Sequence, residues 1–273
     1  MSLRVRAPAT TANLGPGFDC AAVALDLWNE VEVSTGDERP PDPAHIGVRA
    51  FGLVASPEGL DLRWSEEIPR ARGLGSSAAT IALGLVAAAK WSGQELSPEE
   101  LLARGGPLEG HSDNLAACLA GGVCLTWEGR IVRIADDAPG VPIAIVPRNL
   151  TVETQEARAA LPETIAHRDA AFSVARAALL GAAVASGSRE LFAAAADDRL
   201  HEPYRAQHAP VLAAVREQLP EEALGATLSG SGPTVIVWAR ADSADACAAE
   251  LTERFPDADV LQLSISPTGA SRL

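Results

Sequence analysis

Apolar and polar residues alternate in three stretches near the start of this 273-residue chain, at residues 3–10, 25–34 and 59–69. A period of two sends successive side chains to opposite faces, so each stretch predicts a strand, the first of edge type. Between them the Pro-rich run 37–44 reads as a surface turn, and 45–55 as a short helix. Further on the period lengthens. Residues 80–91 predict a helix, and so do 97–105, where Ser97 is placed to cap, Pro98 opens the first turn and acids follow it. Residues 113–122 predict a third helix, ended by glycines. "VCLTWEGRIVRI" predicts a hairpin turning at Glu128-Gly129, and 141–149 is apolar enough for a buried strand.

The second half is richer in helix. A helix start falls at 152–161, followed by an Ala-rich helix over 169–187. A further helical stretch runs from 188 to Pro203, and another helix covers 209–219. "ATLSGSGPTVIVWA" predicts a strand, a loop and a strand; a helix at 243–255 and a strand at 258–266 complete the pattern. Helices and strands mix in both halves without strict alternation. The reading is therefore an α+β protein with two units sharing a cleft, divided as residues 1–147 and 148–273.

Composition narrows the function. The chain is 47% hydrophobic but only 4% aromatic, so aliphatic residues must build the core. A formal charge of −14 argues against nucleic acid and anionic membranes as partners, while leaving room for a small anion held by local arginines. Lysine occurs once, at Lys90. The four cysteines form no C-x-x-C pair and sit among apolar residues, which fits buried thiols in a reducing cytoplasm. The N-terminus has no apolar signal-like run, and the longest apolar run, 78–89, is too short to cross a bilayer.

Three segments carry candidate chemistry. "PRARGLGSSAA" (69–79) sets glycines and two hydroxyls at a helix start. Such a loop lets backbone approach a ligand, and the helix N-terminus offers unpaired N–H groups to an anion; a plain serine cap is the alternative reading. "LSGSGPT" (228–234) is a second Gly/Ser loop, read alone as a hairpin turn or nest. "EGHSDN" (109–114) brings Glu109, His111 and Asp113 close together. A carboxylate near a hydroxyl and phosphates supplies the hard oxygens Mg²⁺ requires, although Asp113 also reads as a helix cap and His111 as a turn residue.

Together with "RAPATTANLGPGFD" (6–19), these motifs in this order resemble the GHMP small-molecule kinases. The N-terminal form "TTANLGPGFD", with "EGHSDN", "ETQEAR" and "HEPYR", is similar to the homoserine kinases within that superfamily. The resemblance implies an N-terminal domain similar to ribosomal protein S5 domain 2, a ferredoxin-like C-terminal domain, and ATP between them. It also implies L-homoserine as acceptor, Mg²⁺ as cofactor and a homodimer.

By matched position, Gly73, Leu74, Gly75, Ser76 and Ser77 form the phosphate loop, flanked by Pro69, Arg72 and Ala78. Ser77 and Glu109 match the Mg²⁺-associated pair. Asn13, Asp19, His111, Asn114, Thr154, Arg158 and Arg205 match residues around homoserine. Gly230, Ser231 and Gly232 match the third motif. Asp19 and Asn114 would orient the reacting hydroxyl, Asp19 would also hold the ammonium, and the two arginines would clamp the carboxylate. The chain departs from the family at His45, where relatives often carry Asn near the nucleotide base, and in its compact loop after Glu109. Two other readings stay open here: a kinase for a different small alcohol of the mevalonate or shikimate kind, and a non-catalytic nucleotide-binding regulator.

Overall fold

The computed structural model describes residues 2–36 and 40–273. Residues 37–39 of the Pro-rich turn lie outside the described residues. Two antiparallel sheets organise the chain. The first opens with β1 (Ser2–Asn13), which turns at Asn13–Gly17 into the long β2 (Gly17–Thr35) and pairs with it from Ser2↔Ser34 to Asn13↔Gly17. Helix α1 (Ile46–Gly52) and strand β3 (Leu60–Glu66) follow, then helices α2 (Ser76–Trp91), α3 (Pro98–Glu109) and α4 (Asp113–Ala120). Strands β4 (Val123–Trp127) and β5 (Arg130–Ala135) form the hairpin, with Glu128 and Gly129 both at positive φ as the tight turn requires. β3 and β4 share the second edge of β2, β3 along its C-terminal half and β4 along its N-terminal half.

The second sheet is built from β6 (Val141–Pro147), β7 (Ala223–Leu228), β8 (Val235–Ala239) and β9 (Ala258–Gln262) in the order β7-β8-β6-β9. Between β6 and β7 lie α5 (Thr154–Ala159), α6 (His167–Ser186), α7 (Arg189–Ala195), α8 (Glu202–Arg205) and α9 (Pro210–Glu217). Helix α10 (Ala244–Arg254) joins β8 to β9. This βαββαβ order with the first strand inside is the ferredoxin-like arrangement expected from the sequence. The last strand, β10 (Ser271–Arg272), returns to the first sheet and pairs with β1 at Val5 and Arg6, so β1 is not an edge strand at that point.

β6 belongs to the second sheet, since it bonds both β8 and β9. The expected division after residue 147 therefore falls one strand too late: the sheets separate ahead of Val141. The cause is visible in β6 itself. Ile143 and Ile145 pack with α9 and α10, while Ala144 and Val146 enter the main core with Ile236 and Trp238 of β8. A strand covered on both faces reads as a plain apolar run with no mark of which sheet it joins. That main core also takes Leu83 and Leu85 of α2, Leu180 of α6 and Phe192 of α7, so one apolar interior underlies both sheets.

Three helix boundaries differ from expectation. α2 begins at Ser76, four residues early, because buried contacts extend to its first turn. α3 has Ser97 as the anticipated cap, joined by Glu100 in a capping box, but continues to Glu109 through Gly105, Gly106 and Pro107. The stretch 188–203 breaks after α7, because the Asp198 carboxylate accepts from the backbone N–H of Leu200, His201 and Glu202 and starts α8 there. Among the described residues α6 alone is long and apolar enough to cross a membrane, by length and composition; 22% of its apolar window is buried.

Candidate active site

The loop before α2 is held open by backbone geometry. Gly73 and Gly75 both have positive φ, at 82° and 68°. A Cβ on Gly73 would sit 2.3 Å from the Ser229 carbonyl oxygen, and one on Gly75 would sit 1.9 Å from Thr10 Oγ1. Only glycine fits either place. Gly75 is the residue that caps α2, and no side chain caps the helix. The serine-cap alternative is thereby excluded, and the first N–H groups of α2 face the cleft without intrahelical partners. Thr10 N–H donates to the Leu74 carbonyl and Val152 N–H to Ala71, tying the loop to β1 and to the chain after β6.

The second Gly/Ser loop joins β7 to β8 and packs directly on the first. Ser229 Oγ lies 2.6 Å from the Gly73 carbonyl and 2.9 Å from Thr11 Oγ1. The carbonyl can only accept, so the serine proton goes to Gly73 and Thr11 donates to Ser229. Thr234 N–H donates to the Arg72 carbonyl at 3.3 Å. The guanidinium of Arg72 crosses to the second sheet, where Nη1 and Nη2 donate to the carbonyls of Pro147 and Arg148, each at 2.7 Å. Its Nε is buried without a partner.

One cleft gathers most of the anticipated residues: Asn13, Asp19, Arg72, Gly73, Gly75, Ser76, Ser77, Glu109, His111, Asn114, Thr154, Arg158, Arg205, Gly230 and Ser231 all line it. His45 lines an adjoining cavity that shares Ser76 and Ser77 with the cleft. It packs on Trp64 with ring centroids 4.5 Å apart, and its Nδ1 is buried without a partner. The remaining four do not reach the cleft. Leu74 and Ala78 are fully buried in the core, so only their backbone can serve a ligand. Pro69 and Gly232 lie beside the loops and outside the lining.

At one end of the cleft, Ser77 donates to Glu109 Oε2 at 2.6 Å, joining the start of α2 to the end of α3. Burial pushes the Glu109 carboxyl above the usual carboxylate range against that hydrogen bond. His111 lies between two acids, with Nδ1 2.9 Å from Asp113 Oδ1 and Nε2 3.7 Å from Glu109 Oε1. Burial pulls its pKa down, but the hydrogen bond and charge of Asp113 and the charge of Glu109 outweigh this and raise it. Asn114, buried at the start of α4, accepts from Thr10 Oγ1 at 2.7 Å through Oδ1, and its Nδ2 lies 3.4 Å from Asp113 Oδ1.

At the other end, Asn13 links three pieces: Nδ2 donates to the Gly230 carbonyl at 2.9 Å, and Oδ1 accepts from Asp19 N–H at 3.1 Å. Asn13 and Asp19 both adopt positive φ, which Asn and Asp tolerate better than other side chains. Arg158 of α5 binds Asp19 through two bonds, Nη1 to Oδ2 at 2.9 Å and Nη2 to Oδ1 at 2.7 Å, and this partner raises its pKa. Arg205 is buried and held by three acceptors: the Gly230 carbonyl at 3.0 Å, His201 Nδ1 at 3.2 Å and the Ala157 carbonyl at 3.4 Å. Burial and the neighbouring Arg158 lower its pKa from the usual value. Phe18 lies under both guanidinium groups, at 5.9 Å from Arg158 and 5.2 Å from Arg205.

Sequence reasoning missed several of these supports. Phe18, Thr10, Ser229 and His201 hold site groups in place, and Asp113, weighed there as a helix cap, orients His111. Thr10 and Phe18 lie inside the quoted N-terminal motif, and Ser229 and His201 adjoin Gly230 and Arg205. The motifs were the available signal; alternation alone gave none. The arrangement can bind an anion at the α2 N-terminus, a divalent cation beside Ser77 and Glu109, and a carboxylate at the paired arginines.

The chain matches two family models, the N-terminal domain of GHMP kinases over residues 45–122 and the GHMP kinase C-terminal domain over residues 176–257. The two sheets with their shared cleft are thus the GHMP kinase fold. A homoserine kinase of Streptomyces coelicolor is 42% identical over 269 residues, covering 89% of this chain and 86% of that protein. A homoserine kinase of Gloeobacter violaceus is 37% identical and covers 97% of each chain. The crystal structure of homoserine kinase from Cytophaga hutchinsonii superposes with a TM-score of 0.88 at 26% identity, covering all of this chain and 97% of that one. The chain belongs to the homoserine kinase family of the GHMP kinases.

Proposed function

We propose that this chain transfers the γ-phosphoryl group of ATP to the side-chain hydroxyl of L-homoserine, giving O-phospho-L-homoserine and ADP for threonine synthesis. Membership of the homoserine kinase family supports the reaction. The observation that carries the substrate is that Arg158, Arg205 and the Asp19 carboxylate line one cleft beside the α2 N-terminus, Arg158 bonded to Asp19. Homoserine carries a carboxylate, an ammonium and a hydroxyl, and each meets a group of matching chemistry there.

In this reading the backbone N–H groups at Gly75–Ser77 hold the ATP phosphates, Arg72 fixes the loop that presents them, and His45 with Trp64 borders the nucleotide base. Asn114 and Asp19 align the hydroxyl with the phosphorus. Phosphoryl transfer passes through a loose transition state, so alignment and charge neutralisation matter more than a strong base. Asp19 is the candidate if a base is used; Asn114 does not titrate.

Ser77 and Glu109 fit Mg²⁺: two hard oxygens lie side by side at the phosphate end of the cleft, and the ion would take its other ligands from phosphate and water. Bound there, Mg²⁺ would neutralise charge on the phosphates.

The same reading puts the protein in the cytoplasm, where ATP is available and its four unpaired cysteines stay reduced. It also makes it a homodimer, a state sedimentation would test. The test of activity is ADP release from ATP and Mg²⁺ with L-homoserine, mevalonate, galactose and shikimate offered in turn. Turnover of homoserine above the others is expected, and no turnover of homoserine would sink the reading.

A further inference from the structure

We propose that Glu202 is a positioning residue for phosphoryl transfer: its carboxylate fixes the direction in which the 229–232 loop leaves β7, and through that loop the register between the phosphate end and the acceptor end of the cleft. This rests on the homoserine kinase reading and adds to it a residue that lies outside the cleft lining.

β7 is an end strand of the second sheet. At its open edge the Ala226 carbonyl accepts from Arg216 of α9, Nη2 at 2.8 Å and Nε at 3.2 Å, and the Leu228 N–H donates to Glu202 Oε1 at 2.8 Å. Residues two apart on a strand turn their backbone groups to the same edge, so these are the groups that a further strand would pair. Glu202 Oε2 accepts from Arg216 Nη2 at 2.6 Å, which joins the two halves of this substitute for a strand. The carboxylate is buried, and both of its oxygens meet donors. Replacing a buried ion pair by apolar packing often leaves a fold as stable, so stability alone does not account for the pair. What the pair adds is direction, because the last N–H of β7 has a single place to point.

The loop beyond Leu228 touches both ends of the cleft. Ser229 Oγ donates to the Gly73 carbonyl of the phosphate loop, and the Gly230 carbonyl accepts from Asn13 Nδ2 and Arg205 Nη1. Arg205 stands three residues after Glu202 on α8, so one short helix grips this loop at Leu228 and again at Gly230. Each end of the cleft has other ties as well. The phosphate loop is bonded to Thr10 and Val152, and Arg205 to His201 and Ala157. Loss of the Glu202 carboxylate should therefore leave both substrates bound and disturb the register between them, on which the transfer depends.

The test is Glu202→Gln, close in shape but with an N–H₂ that faces a donor whichever way the amide turns. Activity is read as ADP release with ATP, Mg²⁺ and L-homoserine. In this variant kcat should fall about tenfold, with KM for ATP and for homoserine each within about twofold of the parent. The pH profile is the second readout. Burial pushes the Glu202 carboxyl up to about 7, with Asp198 adding to the rise and Arg216 and the Leu228 N–H opposing it. Arg216 on α9 and Asp198 ahead of α8 are its charged neighbours, and the adjoining His201 is held neutral by burial. Protonation turns one acceptor into a donor facing a donor. The parent's kcat should therefore fall as the pH drops through about 7, and that step should be missing from Glu202→Gln.

Glu202→Asp covers the case in which the Gln variant does not fold by circular dichroism. It keeps the charge but ends a methylene short of Leu228, so kcat should fall while the pH step remains. A fall in kcat at near-parent KM values, with the step lost in Glu202→Gln or kept in Glu202→Asp, supports the role. Parent kcat in either variant, a rise in both KM values as large as the fall in kcat, or an identical pH profile in Glu202→Gln overturns it and leaves the functional reading standing. A parent that phosphorylates no homoserine sinks the functional reading and the role with it.

Discussion

Lowering the pH should destabilise this protein through His201, a residue that reaches no solvent. Its ring stacks on Phe18 with centroids 5.0 Å apart, its Nε2 lies 2.8 Å from the Gly15 carbonyl, and its Nδ1 receives Arg205 Nη1. The carbonyl accepts only and the guanidinium donates only, so the ring must be neutral with its proton on Nε2. Burial lowers its pKa from 6.5 to about 4, against the pull of Asp198 and with the push of Arg205. Between those values the unfolded chain binds the proton and the folded chain does not. Folding stability therefore falls as the pH drops from 6.5 toward 4, by about 1.4 kcal/mol per pH unit and about 3 kcal/mol in all.

Glu202, its neighbour, works in the opposite direction. Burial pushes Glu202 up to about 7 in spite of Arg216, so the folded state holds an extra proton there between pH 4.5 and 7. The parent's slope alone is therefore uninformative. The quantity to measure is the difference between the parent and His201→Gln, which does not titrate, by urea unfolding followed through tryptophan fluorescence from pH 7.5 to 4. The variant should start less stable and lose stability less steeply on acidification, the two curves converging by about 3 kcal/mol. Parallel curves would refute the assignment of a buried neutral imidazole.

Three further outcomes follow from the cleft. Gly73→Ala should abolish most kinase activity, because its Cβ would strike the Ser229 carbonyl; wild-type kcat would contradict the close packing of the two loops. Glu109→Gln should depress kcat. The variant should also need more Mg²⁺ for half-maximal rate; an unchanged Mg²⁺ requirement would count against its role. Arg72→Lys should raise KM for ATP severalfold while leaving KM for homoserine near the parent value, since lysine cannot donate to the carbonyls of Pro147 and Arg148 together; an equal rise in both would argue for general loosening.

How much of this was legible in the sequence depends on the kind of interaction. Alternation located β2 and β3, and the Ser97 cap with Pro98 and the acids after it declared α3, because these signals are local. The glycine-opened helix start at residues 73–77 was legible for the same reason: glycines and a helix start act within a few positions. The sheet of β6 and the pairing of Asp19 with Arg158 were not. Each is decided by partners far along the chain, 139 residues apart in the case of that ion pair. The motifs named residues that share one cleft, but not which of them hold each other. His45 illustrates the limit, since its place beside Ser76 and Ser77 rests on Trp64, a partner no periodicity names.

The return of the chain end to the first sheet governs when the protein can become whole. Ser264 accepts from Asp26 N–H, Ser266 bonds both Ala24 and Gly122, Ala270 N–H donates to Cys118 and Leu273 N–H to Arg4. The last ten residues thus stitch β2, α4 and β1, elements that leave the ribosome first. A chain stopped before residue 264 has both glycine loops translated but lacks the backbone partners that these bonds give β1, β2 and α4. Removing residues 264–273 should therefore loosen the sheet that carries Asn13 and Asp19, a loss out of proportion to ten residues.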